Sequence, residues 1–263
     1  MRCSCADAGN TGVRSFRRSQ WATAARDRVR PYANRVVAAR LCRHGRNPLA
    51  DEVRFVRSFN WLGFHFNPFV QVESELLRFV ELVCARRPRT IVEIGTARGE
   101  TAFLLARAAA PDARIVCVDL PAGPFGGVRI PNRTRLWASF AVDQQTVTLL
   151  ERDSHDPRTA ELVRQMVGPI DVLFIDGDHS YEGVAADFRM FVPMVADGGL
   201  IALHDIVSGR PEAVGGVPDF WHEVRGEIFD EIVADRNQGG YGFGLLVKGV
   251  GARALDNPAG AVD

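Results

Sequence analysis

From about residue 70 the chain alternates between two apolar periods: long stretches with one apolar face and short β-branched runs. Val70 to Arg86 has the helical period. Val72, Leu76, Phe79, Val80 and Val83 share a face, Glu73, Glu75, Arg78 and Glu81 lie mostly off it, and Pro88 follows. Thr90 to Ile94 reads as a buried strand, Gly95 to Gly99 as a tight turn, and Glu100 to Ala110 as a helix stopped by Pro111. Further strands are predicted at Arg114–Asp119, Val147–Leu150, Ile170–Asp176, Gly199–His204, Glu231–Ala234 and Tyr241–Lys248. Helices are predicted at Thr134–Gln145, Arg158–Val167 (opened by Asp156-Pro157), Tyr181–Val195 and Val217–Ile228. Regular β-α alternation predicts right-handed crossovers and a parallel, doubly wound α/β sheet. The short turn Asn237–Gly240 forces the last strand antiparallel to the one before it.

The N-terminal residues lack this regularity. Residues 1–50 are dense in Arg and poor in acids, with no apolar signal segment. A loosely ordered tail is the simplest expectation, with a helix at Ala33–Leu41; a transit peptide or a nucleic-acid arm stays open. Residues 51–69 carry Phe55, Phe59, Trp61, Phe64, Phe66 and Phe69, which predicts packing on the main domain ahead of a lid. The expected organisation is an extension over 1–69, one catalytic domain over 70–250 and a tail over 251–263.

Composition narrows the function. Among 263 residues the 32 basic and 32 acidic side chains balance, so no global field favours nucleic acid or an anionic membrane. No apolar run reaches the ~18 residues of a membrane span. Cys3, Cys5, Cys42, Cys84 and Cys117 show neither C-x-x-C nor zinc spacing, which implies a reducing, cytoplasmic setting without disulfides.

Chemistry should gather at the carboxyl ends of the strands, where open α/β sheets bind ligands. The first strand ends in Glu93-x-Gly95-Thr96-x-x-Gly99, which lacks the G-x-G-x-x-G spacing of dinucleotide sites. Asp119 ends the second strand, and Asp153 and Ser154 follow the third. The fourth ends in Asp176-Gly-Asp178-His179 and the fifth in His204-Asp205. Neighbouring strands lie ~4.8 Å apart, so three carboxylates and two imidazoles converge. A divalent cation is the economical way to relieve their repulsion.

The glycine motif resembles the first motif of class I S-adenosylmethionine (SAM) methyltransferases. Val92–Gly99, Asp119–Gly127, Ile175–Tyr181 and Gly198–Asp205 together resemble the metal-dependent small-molecule O-methyltransferases. The similarity is to the branch of cephalosporin hydroxylase-like and macrocin or aminocoumarin sugar enzymes. This resemblance implies a Rossmann-like seven-stranded sheet in the order 3-2-1-4-5-7-6. It implies SAM held by Glu93, Gly95, Thr96, Gly99, Asp119, Asp153 and Ser154, with Asp119 on the ribose hydroxyls. It implies a metal on Asp176, His204 and Asp205, and Asp178 or His179 as general base. His204 stands where the family more often has an acid. Imidazole suits Mn²⁺, Fe²⁺ or Zn²⁺ better than Mg²⁺, so the metal stays open, and His204 could itself act as base or sit behind the ligands. The expected activity is O-methylation of a hydroxyl on a sugar or natural product, the partner being that small-molecule acceptor, with a homo-oligomer open. A nucleotide-dependent oxidoreductase, a non-catalytic SAM- or metal-binding protein and an RNA methyltransferase are the alternatives. Arg129, Arg133 and Arg210 could meet an anionic group, with solvated surface the first expectation for each.

Overall fold

The β-branched runs build the centre of the molecule. A computed structural model describes residues 33–62, 64–66, 71–120, 130–226 and 230–249. The strands of the main sheet are β3 (Thr90–Ile94), β4 (Arg114–Val118), β5 (Thr146–Leu150), β6 (Ile170–Ile175), β7 (Val195–His204), β8 (Asp230–Ile232) and β9 (Phe243–Val247). They lie in the order β5-β4-β3-β6-β7-β9-β8, which is 3-2-1-4-5-7-6 when the seven are counted along the chain. β3 to β7 pair in parallel, and β9 runs antiparallel to both β7 and β8. Order and strand direction agree with the sequence expectation.

Both faces of the sheet are covered, so its central strands are apolar on both sides. One face packs against α1 (33–41), α2 (Leu49–Ser58), α3 (Glu73–Arg86), α4 (Glu100–Ala108) and α5 (Arg133–Ala138), with Phe79, Phe103, Phe140, Phe174 and Phe243 in its core. The other packs against α6 (Pro157–Val167), α7 (Tyr181–Phe191) and α9 (Val217–Val224) through Val163, Phe191, Phe220 and Trp221. A one-turn helix α8 (Pro211–Val214) precedes α9.

Several boundaries differ from expectation. Helix α5 ends at Ala138, seven residues short of Gln145, because the chain turns to bury Phe140 and passes through Asp143 at φ +56°. Gln145 then donates to Ala106 O (2.9 Å) and Ala110 O (2.8 Å), which pins the turn to α4. Helix α7 gives way at Phe191 to a 3₁₀ turn, Val192–Met194, since Pro193 cannot continue it. The sequence reading did not find α2 or the two-stranded hairpin β1 (Asn60–Trp61)/β2 (Phe64–His65). Phe59, Phe64 and Phe66 are buried in the same core as Phe103 and Phe140, the packing expected of these aromatics. Phe69, Arg129, residues 1–32, most of the loop Pro121–Asn132 and the tail 251–263 lie outside the described residues. Among the described residues Cys42, Cys84 and Cys117 are free thiols, and no helix is long and apolar enough to cross a membrane.

Candidate active site

The turn after β3 brings two strand ends together. Gly95 has φ +78°, and a Cβ there would lie 2.0 Å from the carbonyl oxygen of Asp176. Only glycine allows that approach. Gly99, at φ +83°, leads into α4 with the rings of Phe140 and Trp137 where its Cβ would sit. Thr96 accepts a hydrogen bond from Trp137 Nε1 (2.9 Å).

Asp119 lies just past β4 and faces this turn. Its Oδ1 accepts from the amides of Thr96 (3.1 Å) and Ala97 (3.4 Å), and its Oδ2 accepts from Arg133 Nη2. Arg133 is 1% exposed. The expectation of a solvated Arg133 is therefore corrected: a buried carboxylate requires a partner, and Asp119 draws the guanidinium inside. Glu93, also buried, stands beside Thr96 and Cys117, yet neither carboxyl oxygen makes a hydrogen bond of normal geometry. Burial pushes its pKa up to about 8. Past β5, Asp153 is exposed and accepts from His155 N (2.9 Å), a local turn bond. Ser154 is half-buried.

The ends of β6 and β7 hold the densest group of charges. Asp176 Oδ1 lies 3.3 Å from His179 Nε2 and 3.5 Å from His204 Nδ1. Asp205 Oδ2 lies 3.4 Å from His179 Nδ1, and its Oδ1 lies 3.4 Å from His204 Nδ1. Asp205 has φ +60°, a left-handed backbone uncommon outside glycine, and its Oδ1 also accepts from Tyr241 N (3.0 Å). The anchor for that bond lies on α3: the buried carboxylate of Glu75 accepts from Ala234 N (2.7 Å), Gln238 Nε2 (2.8 Å) and Gly242 N (3.1 Å), fixing the connection between β8 and β9.

Charges in this group answer one another. Burial opposes ionisation of Asp176, but the two imidazoles overcome it and hold its carboxyl below the usual range. Burial likewise opposes a charge on His179, yet Asp176 and Asp205 raise it to about 9. The same two acids raise His204 above its ordinary value against its own burial.

Asp176, His179 and Asp205 each offer one donor atom, all within 4.8 Å of one another. The donor set is two carboxylate oxygens and one imidazole, suited to Mn²⁺, Fe²⁺ or Zn²⁺. His179 Nδ1 lies 2.6 Å from Ala213 O, and a carbonyl can only accept. Nδ1 therefore carries hydrogen, leaving Nε2, beside Asp176, as the nitrogen that would face a cation. A backbone carbonyl fixing the tautomer in this way is the usual support for a metal-bound histidine.

Known proteins can now be set beside this geometry. Residues 92–206, which run from the glycine turn to the β7 acid, match the family described as "Methyltransferase domain". Over that stretch the chain is similar to a methyltransferase domain. Over 77 residues it is 30% identical to demethylmacrocin O-methyltransferase of Streptomyces fradiae, covering 29% of this chain and 20% of that protein. The chain spans less than half the length of the curated relatives it matches. Its fold is similar to that of the O-methyltransferase TomG from Streptomyces achromogenes, solved with SAM: TM-score 0.51, 20% identity, 84% of this chain and 99% of that one. It is likewise similar to the O-methyltransferase from Bacillus cereus, solved with SAH: TM-score 0.50, 20% identity, 77% of this chain and 92% of that one.

Within the matched stretch the sheet gathers Asp176, His179, His204 and Asp205 at one place, and Glu93, Gly95, Thr96, Gly99 and Asp119 beside it. Asp178 is not part of the first group. Its Oδ1 accepts from Ser180 N (2.8 Å) and its carboxyl backs onto Gly183 at the start of α7. His204 is 3% exposed and sits behind Asp176 and Asp205, while His179 faces them from the other side. Sequence reasoning did not find Arg133 as the partner of Asp119, nor Glu75 as the support of Asp205. The expectation that Glu75 lies off the apolar face of α3 is corrected, since it is buried; its spacing of three from Val72 and four from Phe79 was the available signal.

Proposed function

We propose that the protein is a SAM-dependent O-methyltransferase acting on a hydroxyl of a sugar or natural product with the help of a divalent metal ion. The carrying observation is the triad Asp176–His179–Asp205 at the ends of β6 and β7, one strand over from the glycine turn of a methyltransferase domain. The similarity to demethylmacrocin O-methyltransferase supports a natural-product acceptor.

SAM supplies an electrophilic methyl carbon on a sulfonium, and a divalent ion supplies Lewis-acid polarisation of the acceptor oxygen. The chain does the rest by placement. Gly95, Thr96 and Gly99 form the turn on which the cofactor rests, with Glu93 beneath it. Asp119 receives ribose hydroxyls at Oδ2, where Arg133 now donates; Asp153 and Ser154 flank the adenine side. Asp176, His179 Nε2 and Asp205 hold the ion, and His204 keeps the two acids in register from behind. In-line attack needs the acceptor oxygen ~3 Å from the methyl carbon, and the close packing of Gly95 on the Asp176 carbonyl would keep the two strand ends together for it. The hydroxyl proton leaves toward the Asp205 carboxylate. Asp178 reaches the site as an alternative base only by leaving its place at the start of α7.

Calorimetric titration of chelator-stripped protein with SAM, then with Mg²⁺, Mn²⁺ and Fe²⁺, tests this. Micromolar SAM binding and a metal response strongest for Mn²⁺ or Fe²⁺ are expected. SAM binding with no metal response removes the triad from the mechanism, and no SAM binding removes the reading altogether.

A further inference from the structure

The connection from β5 to α6 contains no apolar side chain: it reads Glu151-Arg-Asp-Ser-His-Asp156. Burial of hydrocarbon cannot hold it in place, so its polar contacts must. One is the cap on α6, where Asp156 Oδ1 accepts from Arg158 N (2.9 Å). Another reaches α7. The His155 side chain is 32% exposed, yet its Nε2 is turned inward and buried, 3.4 Å from Oδ1 of Asp187. Asp187 is 0% exposed, and neither of its oxygens makes a hydrogen bond of normal geometry. Among the described residues His155 is its ion-pair partner, with the Ser154 hydroxyl beside it. Burial pushes its pKa up to about 6; Ser154 and His155 pull against that rise, and the charge of Asp178 adds to it. An acid this costly to bury, on a helix face that an apolar residue could fill, calls for a reason.

The surroundings show what the pair joins. A Cβ at Gly177 would lie 3.3 Å from Asp187 Oδ2 and 3.2 Å from Ile94 Cγ2. The acid therefore stands directly behind the residue that follows Asp176 at the end of β6. On the other side the main-chain N–H of His155 donates to Asp153 Oδ1 (2.9 Å). One line of contacts thus runs from the exposed carboxylate of Asp153, through the backbone and ring of His155, to Asp187 and the end of β6. We propose that His155 and Asp187 are positioning residues, which clasp the β5–α6 connection to α7 and so aim Asp153 at the base of the bound nucleoside. This deepens the reading of the protein as SAM-binding, and rests on it. Neither residue touches the ligand in this arrangement. Asp153 accepts from the 6-amino group of adenine only while His155 keeps the turn in place, and His155 does so only while Asp187 draws its Nε2 inward.

The test compares S-adenosylhomocysteine (SAH) with S-inosylhomocysteine, which carries an oxygen in place of the 6-amino group and so presents an acceptor where SAH presents a donor. Both are titrated calorimetrically into the full chain and into His155→Leu, His155→Gln and the double variant His155→Leu/Asp187→Leu. The unmodified protein should prefer SAH by about 10-fold or more, the worth of one hydrogen bond to a carboxylate. His155→Leu should bring the two ligands to within about 2-fold of each other and, by stranding Asp187, lower the thermal midpoint. His155→Gln, which keeps an N–H donor, should recover part of the preference. The double variant separates aim from stability: replacing both polar groups should restore the midpoint but not the preference. Should His155→Leu not fold, the double variant carries the same comparison. A His155→Leu protein that keeps the full preference overturns the proposal, and so does a double variant that regains preference together with stability. Equal affinity of the two ligands for the unmodified protein overturns it as well. Absence of SAH binding in the unmodified protein overturns the cofactor reading itself, a result distinct from loss of discrimination alone.

Discussion

Carboxylates at two places along the sheet's carboxyl edge are treated in opposite ways. At the end of β4, Asp119 is saturated by its own chain: two amides on Oδ1 and the Arg133 guanidinium on Oδ2. At the ends of β6 and β7, Asp176 and Asp205 share two imidazoles at 3.3–3.5 Å, each drawn toward its protonated form. The first site is complete without a ligand, so a ligand must displace or share an internal partner. The second borrows protons as its counter-charge, which a cation bound under the proposed function would replace. Stability is invested in the first site and reactivity in the second.

The sharpest way to break this contrast is Asp176→Ala. It should lower methyl transfer and metal affinity by more than about 100-fold while leaving SAM affinity within a few-fold, read by turnover and calorimetry. Arg133→Met makes the opposite cut. It strands a buried carboxylate and should cost about 3–5 kcal/mol of stability, seen in denaturant unfolding, with much of the loss recovered when Asp119→Asn is added. An unchanged unfolding midpoint would show that the pair does not hold the β4 end.

How far each half was legible in the sequence follows the same division. Thr90–Ile94 and its glycine turn were read to the residue, because period and glycine spacing are local properties. The approach of Arg133 to Asp119 spans a loop and depends on Trp137 and Phe140 folding over Gly99, which no window of sequence displays. That Asp176, His179 and Asp205 form the tightest donor group, with His204 behind the acids, was hidden for a related reason. Nothing within the Asp176–His179 motif reveals that Ala213, 34 residues on, will fix the His179 tautomer. Helix α2 escaped because its buried positions, Glu52, Val53 and Val56, include an acid paired with Arg107, which interrupts the apolar period.

Smaller changes sharpen the comparison. Glu75→Gln keeps the shape of the anchor under Asp205 but weakens three hydrogen bonds; about 2 kcal/mol of stability should be lost, with metal affinity falling alongside it. Were the unfolding midpoint to drop with metal affinity intact, Glu75 would be a purely structural brace. Glu93→Gln should show the smallest effect, and only against pH. Burial raises this acid from its ordinary 4.5 to about 8, so the folded chain keeps a proton that the unfolded chain releases. Its contribution to stability is full below about 4.5 and is lost as pH rises toward 8. Thermal midpoints at about pH 5 and pH 8 should therefore lie closer together in Glu93→Gln than in the unmodified protein.

On the proposed activity, the contact between Gly95 and the carbonyl of Asp176 has a consequence for how acceptor choice would diversify. Because the glycine turn and the end of β6 touch through main-chain atoms, their separation is a gauge cast into the sheet, independent of any side chain that a new acceptor would require. Loops beyond β4 and β7 can then be exchanged to admit a larger or differently shaped molecule without recalibrating the transfer distance. A graft of such loops from a relative should change which hydroxyl is methylated more readily than it changes whether methylation occurs.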